Sequence, residues 1–215
     1  MSKKLLLIND LAGYGKVALS AMIPVLSHMK YEIYSLPTAI VSNTLDYGKF
    51  EILDTTEYIK NTLKVWDELN FDFDAISTGF IVSKEETRII TELCKNKSDK
   101  GITIFTDPIM GDDGRLYNGI TEETVSLMRE LVSVADYIVP NYTEAAYLAD
   151  VKYHEVGTTL EEYPCLHFKH LVVVGAAFGD GDIGELLGAV LLHQLLKARF
   201  IVCMGAGRAG QFPLH

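Results

Sequence analysis

The chain has 215 residues, is 48% hydrophobic and 22% charged, and carries a formal net charge of −10. That is an ordinary composition for one globular domain with a sizeable core, and the acidic balance excludes a general nucleic-acid binder, which needs a basic face. No run of about 18 apolar residues occurs, which argues against a membrane span.

The first strand-like run is KKLLLI at 3–8, too short for the apolar region of a signal peptide. IYSLPTAIV at 33–41, FDAISTGF at 73–80, ITIFT at 102–106, DYIV at 136–139, HLVVV at 170–174 and RFIVCM at 199–204 follow. These runs are continuous rather than alternating, as in strands covered on both faces. Between them lie amphipathic stretches. The one at 54–70 starts from Asp54 and turns Ile59, Leu63, Trp66 and Leu69 inward. The one at 83–96 pairs Ser83 with Glu86 as a capping box and groups Ile89, Ile90, Leu93 and Cys94. The third, at 121–133, opens on Thr121 with two acids in its first turn and turns Val125, Met128, Leu131 and Val132 inward. The β-α alternation predicts a three-layer α/β/α fold with a mainly parallel sheet and helices on both faces. No linker or internal repeat breaks it, so residues 1–215 read as a single domain. Cys94, Cys165 and Cys203 form no spaced pair, which suggests reduced thiols in a cytoplasmic protein.

Ligands of such sheets bind beyond the carboxyl ends of the strands. Polar and glycine-rich segments follow each strand there: NDLAGYGK, SNTLDYGKF, TGF, DPIMGDDGRLY and PNYTEAA. Two apparent phosphate motifs fail. AGYGKVALS lacks Walker spacing, and GAGRAG at 205–210 leaves too little chain for a following helix. The six histidines show no metal-ligand spacing, and no Gly-x-Ser-x-Gly elbow occurs.

Four pieces in order, INDLAGYGKVALSAMIPVLS, LPTAIVSNT, FDAISTGF with FTDPIMGDDGRLYNG, and ADYIVPNYTEAAYL, span residues 5 to about 152. Together they resemble the pyridoxal kinase branch of the ribokinase-like superfamily. The resemblance implies ATP- and Mg²⁺-dependent phosphorylation of the 5′-hydroxymethyl group of pyridoxal, pyridoxine or pyridoxamine, by a homodimer with no nucleic-acid or membrane partner. Hydroxymethylpyrimidine kinase is the related alternative, and a vitamer-binding relative with impaired catalysis is another. The resemblance implies that Asn9 or Asp10 bonds the pyridine ring. Tyr14 and Gly15 would approach it, Ser42, Asn43 and Thr44 would lie over it, and Phe80 would line the pocket. Asp107, ahead of Asp112, would face the triphosphate and its metal, although an Asp-Gly turn accounts well for Asp113–Gly114. Asn141, Thr143 and Glu144 match the superfamily's Asn-x-x-Glu motif, with Glu144 on the metal side; Asn141 and Glu144 also fit a helix capping box.

Gly179, Asp180, Gly181 and Asp182 precede an apolar helical stretch and match the superfamily's Gly-Thr-Gly-Asp. The resemblance implies an anion hole at Gly179 and Gly181 and a catalytic base at Asp182. Asp180 replaces the threonine, and a carboxylate there would repel a phosphate where a hydroxyl would donate to it. Only 37 residues separate Glu144 from Asp182, so the C-terminal half is expected to be shortened relative to the family.

Overall fold

The structure is a computed structural model that describes residues 3–44, 47–117 and 120–153. Its first apolar run forms β1 (Lys4–Ala12). Leu5 and Leu7 enter one core cluster and Leu6 and Ile8 another, and all four are buried. Both faces of the strand are covered, so its hydrophobic run does not alternate. The chain continues through α1 (Ala18–His28), β2 (Glu32–Val41), β3 (Ile52–Asp54), α2 (Thr56–Glu68), β4 (Ala75–Thr78), α3 (Lys84–Ser98) and β5 (Thr103–Thr106). A small hairpin of β6 (Gly111–Asp112) and β7 (Arg115–Leu116) follows, then α4 (Glu122–Ser133), β8 (Tyr137–Ile138) and α5 (Tyr142–Ala149).

The main sheet has the order β3-β2-β1-β4-β5-β8. All neighbours are parallel except β2 and β3. Leu19, Met22 and Leu26 of α1 pack on the Leu5–Leu7 face. Ile59 of α2, Ile90 of α3, Met128 of α4 and Leu148 of α5 pack on the Leu6–Ile8 face. The expected mainly parallel α/β architecture with helices on both faces is borne out. The strands at 170–174 and 199–204 lie outside the described residues.

The order also locates the place for a ligand. From β1 the chain moves outward through β2 and β3, then returns to the other side of β1 and moves outward through β4, β5 and β8. The carboxyl ends of β1 and β4 therefore diverge at the topological switch point, where α/β folds open a crevice.

Three helix details differ from expectation. α2 has Thr55 as its N-cap without a side-chain cap bond. The Asp54 carboxylate instead accepts from the Thr56 N–H at 2.7 Å and the Thr56 hydroxyl at 2.5 Å. Leu69 is 57% exposed, because the helix ends at Glu68 and leaves Leu69 in the cap. In α3, Ser83 accepts from the Glu86 N–H as expected, but the Glu86 carboxylate overshoots the cap and accepts from the Val82 N–H. α4 carries its capping box through Thr124 and buries Val125, Met128, Leu131 and Val132 as expected. At the amino edge of the sheet, Tyr34 meets Trp66, Phe71 and Phe73 edge-on at centroid distances of 6.0, 5.4 and 5.0 Å.

Candidate active site

The switch point is held by side chains that the sequence assigns to a ligand. Asn9 Oδ1 accepts from the Phe80 N–H at 2.8 Å and from the Asp10 N–H at 3.0 Å, while Nδ2 points to Met22 Sδ at 3.8 Å. The residue is buried, and both lone pairs of its oxygen are engaged. Asn9 thus ties the end of β1 to the chain leaving β4. Gly79 makes this possible: a Cβ there would lie 2.3 Å from Asn9 Nδ2 and 2.6 Å from Oδ1. Asp10 falls where the β1–β2 register shifts, half-buried, and burial raises its carboxyl above the ordinary range. Unlike Asn9, Asp10 makes no side-chain hydrogen bond to another described residue.

Phe80 is half-buried, and its carbonyl accepts from the Thr38 hydroxyl at 2.6 Å. Val82 is held by Glu86 Oε2 at 3.1 Å. The segment from Gly79 to Ser83 is therefore fixed by Asn9, Thr38 and Glu86 together. Glu86 is fully buried and its Oε1 has no partner. Burial, and after it the charge of Asp54, pushes its carboxyl up to about 7. Sequence reasoning did not assign Thr38, Gly79 or Glu86 to the site. A glycine directly after a strand run was the visible signal for Gly79.

The loops after β1 and β2 zip together, with the Gly13 N–H on the Val41 carbonyl at 2.8 Å and the Tyr14 N–H on the Ser42 carbonyl at 3.1 Å. Tyr14 is 66% exposed, and its ring meets Tyr47 edge-on at 6.1 Å. Gly15 has φ +107°, and a Cβ on it would reach 2.9 Å from the Thr44 methyl. Ser42 Oγ accepts from the Glu51 N–H at 2.9 Å, and Asn43 Nδ2 donates to the Lys49 carbonyl at 2.9 Å. Ser42 and Asn43 thus shape the loop, while the Tyr14 and Tyr47 rings are exposed on it.

A second cluster sits one strand further along the same edge. Asp107 follows β5 directly, with its N–H on the Thr78 carbonyl at 2.9 Å. Glu144 lies in the first turn of α5, where it accepts from the Asn141 N–H at 2.8 Å and the Met110 N–H at 3.1 Å. Asn141 completes the capping box by accepting from the Glu144 N–H at 2.9 Å. Its Nδ2 donates to the Gly111 carbonyl at 2.8 Å, and Thr143 Oγ1 accepts from the Gly114 N–H at 2.9 Å. The capping role and the loop-holding role of this motif coexist. Burial raises the Asp107 carboxyl; burial and, after it, the charge of Asp107 raise that of Glu144. Two adjacent buried carboxyls favour either a shared proton or a cation. Asp112 is exposed, and its carboxylate accepts from the Asp113 N–H at 2.9 Å. Asp113 and Gly114 have φ of 47° and 75°, the signature of a type I′ turn. Gly179, Gly181 and Asp182 lie outside the described residues.

A groove of about 1070 Å³ opens beside these clusters. It is lined by Ile40, Leu53, Asp54, Thr56, Ile81 and Ser83 among others, and by none of the residues expected to contact substrate. The strand-end clusters are the better candidate site, because they lie at and next to the switch point, on the carboxyl edge of the sheet, and carry buried ionisable groups.

A family model described as phosphomethylpyrimidine kinase matches residues 14–176, more than half of the chain. The chain belongs to this family. The family match ends before Gly179. A Bacteroides thetaiotaomicron member solved with pyridoxal shares 39% identity at a TM-score of 0.70, covering 74% of this chain and 55% of that one. Pyridoxal kinase from Leishmania donovani, solved with ADP and pyridoxamine, shares 28% identity at a TM-score of 0.66, covering 74% and 57%. The pyridoxal kinase of Dictyostelium discoideum is 25% identical over 206 residues, covering 85% of this chain and 67% of the relative. The chain spans about half to two-thirds of the length of the curated relatives that it matches, from 46% to 67%. No helix among the described residues is long and apolar enough to cross a membrane.

Proposed function

We propose that this chain is a B6-vitamer kinase, which moves the γ-phosphoryl group of ATP to the 5′-hydroxymethyl oxygen of pyridoxal, pyridoxine or pyridoxamine. The observation that carries this reading is the pair of buried carboxyls, Asp107 and Glu144, at the strand edge that also presents Asp10 and Phe80. Phosphoryl transfer to an alcohol requires positioning, neutralisation of phosphate charge and a base for the hydroxyl proton. Asp10 offers an acceptor to the heterocycle, Phe80 an apolar wall, and the Tyr14 ring a cover.

Asp107 and Glu144 suit Mg²⁺, a hard cation that takes one or two carboxylates and keeps several waters. Asp107 has no side-chain hydrogen bond among the described residues, and Glu144 is held by backbone N–H groups rather than by side chains. The metal would neutralise charge on the triphosphate. Asp182 would take the proton as the hydroxyl oxygen bonds to phosphorus and ADP leaves, with Gly179 and Gly181 donating N–H groups to the phosphate. The protein would work in the cytoplasm as a homodimer. Exposed Ile40 and Leu53, paired across β2 and the edge strand β3, support self-association.

Phosphate transfer from ATP to the three vitamers and to hydroxymethylpyrimidine, measured side by side, tests the reading. Turnover of the pyrimidine alone refutes the vitamer assignment. Pyridoxal binding without turnover supports a non-catalytic relative instead. An Asp182→Asn variant with undiminished rate would remove Asp182 as the base.

A further inference from the structure

The Asn141–Glu144 motif holds more than its own helix. Met110, Gly111 and Gly114 are tied to Glu144, Asn141 and Thr143 respectively by the three hydrogen bonds given above. They fix the β6–β7 hairpin against the N-terminus of α5, beside the Asp107–Glu144 pair. Within the hairpin, Gly111 pairs with Leu116 and Asp112 with Arg115. Leu116 packs against the main core, whereas Asp112 and Arg115 occupy the alternate positions and are exposed. Gly111 has no room for a side chain, since a Cβ there would lie 2.2 Å from the Arg115 carbonyl oxygen.

Asp112 is the natural partner for Arg115 across a two-strand ladder. Its Oδ1 accepts instead from the Asp113 N–H, and no ion pair joins it to Arg115. Among the described residues, Arg115 makes no salt bridge and no side-chain hydrogen bond. Arg129, by contrast, is engaged on the Tyr147 and Leu148 carbonyls. A guanidinium has five donors in a planar fork that matches phosphate oxygens bidentately. Here one is carried on a short turn whose backbone is clamped from three points.

We propose that Arg115 is a phosphate-binding residue that grips the triphosphate from the hairpin side, opposite the carboxylate cluster. The proposal rests on the kinase reading for the identity of the phosphate donor. The hairpin clamp explains why Asn141 and Thr143 face the hairpin: they set the height at which Arg115 meets the phosphates.

The test uses the full chain with Arg115→Ala, Arg115→Gln and Arg115→Lys. In steady-state assays with pyridoxal, Arg115→Ala and Arg115→Gln should raise KM for ATP by about 10- to 100-fold, the worth of charge-assisted phosphate bonds. KM for pyridoxal should stay within about twofold, and Arg115→Lys should recover part of the loss by charge alone. An unchanged KM for ATP overturns the proposal, and so does an equal loss for both substrates. Calorimetry with ATP and with adenosine separates this outcome from failure of the kinase reading. A wild-type chain that binds ATP without phosphorylating any vitamer refutes the kinase reading alone. Arg115 then still stands if its removal weakens ATP and spares adenosine, and falls if both bind as before or if the wild type binds no ATP.

Discussion

Replacing Glu86 by Gln should make the protein more stable, and the gain should grow with pH. The carboxyl is fully buried, Oε2 holds the Val82 N–H, and Oε1 has no partner. Burial and the nearby Asp54 push it from 4.5 up to about 7. The native state therefore keeps a proton that the unfolded chain releases above its ordinary value. Stability falls as pH rises from 4.5 to about 7 and stays low above that. The full penalty is about 3 kcal/mol, since each tenfold change in proton affinity is worth about 1.4 kcal/mol. Glutamine keeps an oxygen for Val82 and places an uncharged NH₂ where Oε1 stands. Urea unfolding of both proteins, followed by far-UV circular dichroism, should show the variant's advantage widening by about 2.5 kcal/mol between pH 5 and pH 8. An advantage that does not change with pH, or a variant less stable than wild type at pH 8, refutes the reasoning.

Gly79→Ala should cost about 2 kcal/mol or more and lower the melting temperature, because its Cβ would collide with the Asn9 amide. Asn9→Ala should lower stability by about 1–3 kcal/mol by orphaning the Phe80 N–H. Asp10→Asn should leave the melting temperature nearly unchanged and raise KM for the vitamer; equal thermal losses in the two variants would refute the division of labour between these neighbours. Asp107→Asn should stabilise the fold at pH 8, where both carboxyls of its pair are strained, yet reduce ATP-dependent turnover by about 10- to 100-fold. Paired unfolding and activity assays at that pH check both halves.

The strands that build the sheet's centre were legible because burial on both faces favours an unbroken apolar run, as in LLLI. α1 was not, since it has no capping side chain, no acid in its first turn, and Pro24 inside it. β3, β6 and β7 are two or three residues long and owe their pairing to a partner strand rather than to composition. In the site, the capping geometry of Asn141 and Glu144 could be read locally because its partners are three residues apart. The role of Asn9 could not, because its acceptor meets a backbone N–H 71 positions away. Local sequence names the residue types at the strand ends; which of them remain free for a ligand depends on contacts made across the sheet.

Trp66 is the only tryptophan in the chain, and it sits in the aromatic cluster at the amino edge, half-buried against Phe71 and Phe73 at 6.2 and 6.0 Å. The cluster lies at the far end of the strands from Asp10, Phe80 and Asp107. The protein thus carries a built-in optical reporter of its global folding. Its emission should follow the melting of the sheet and stay silent when a vitamer or a nucleotide binds at the opposite edge.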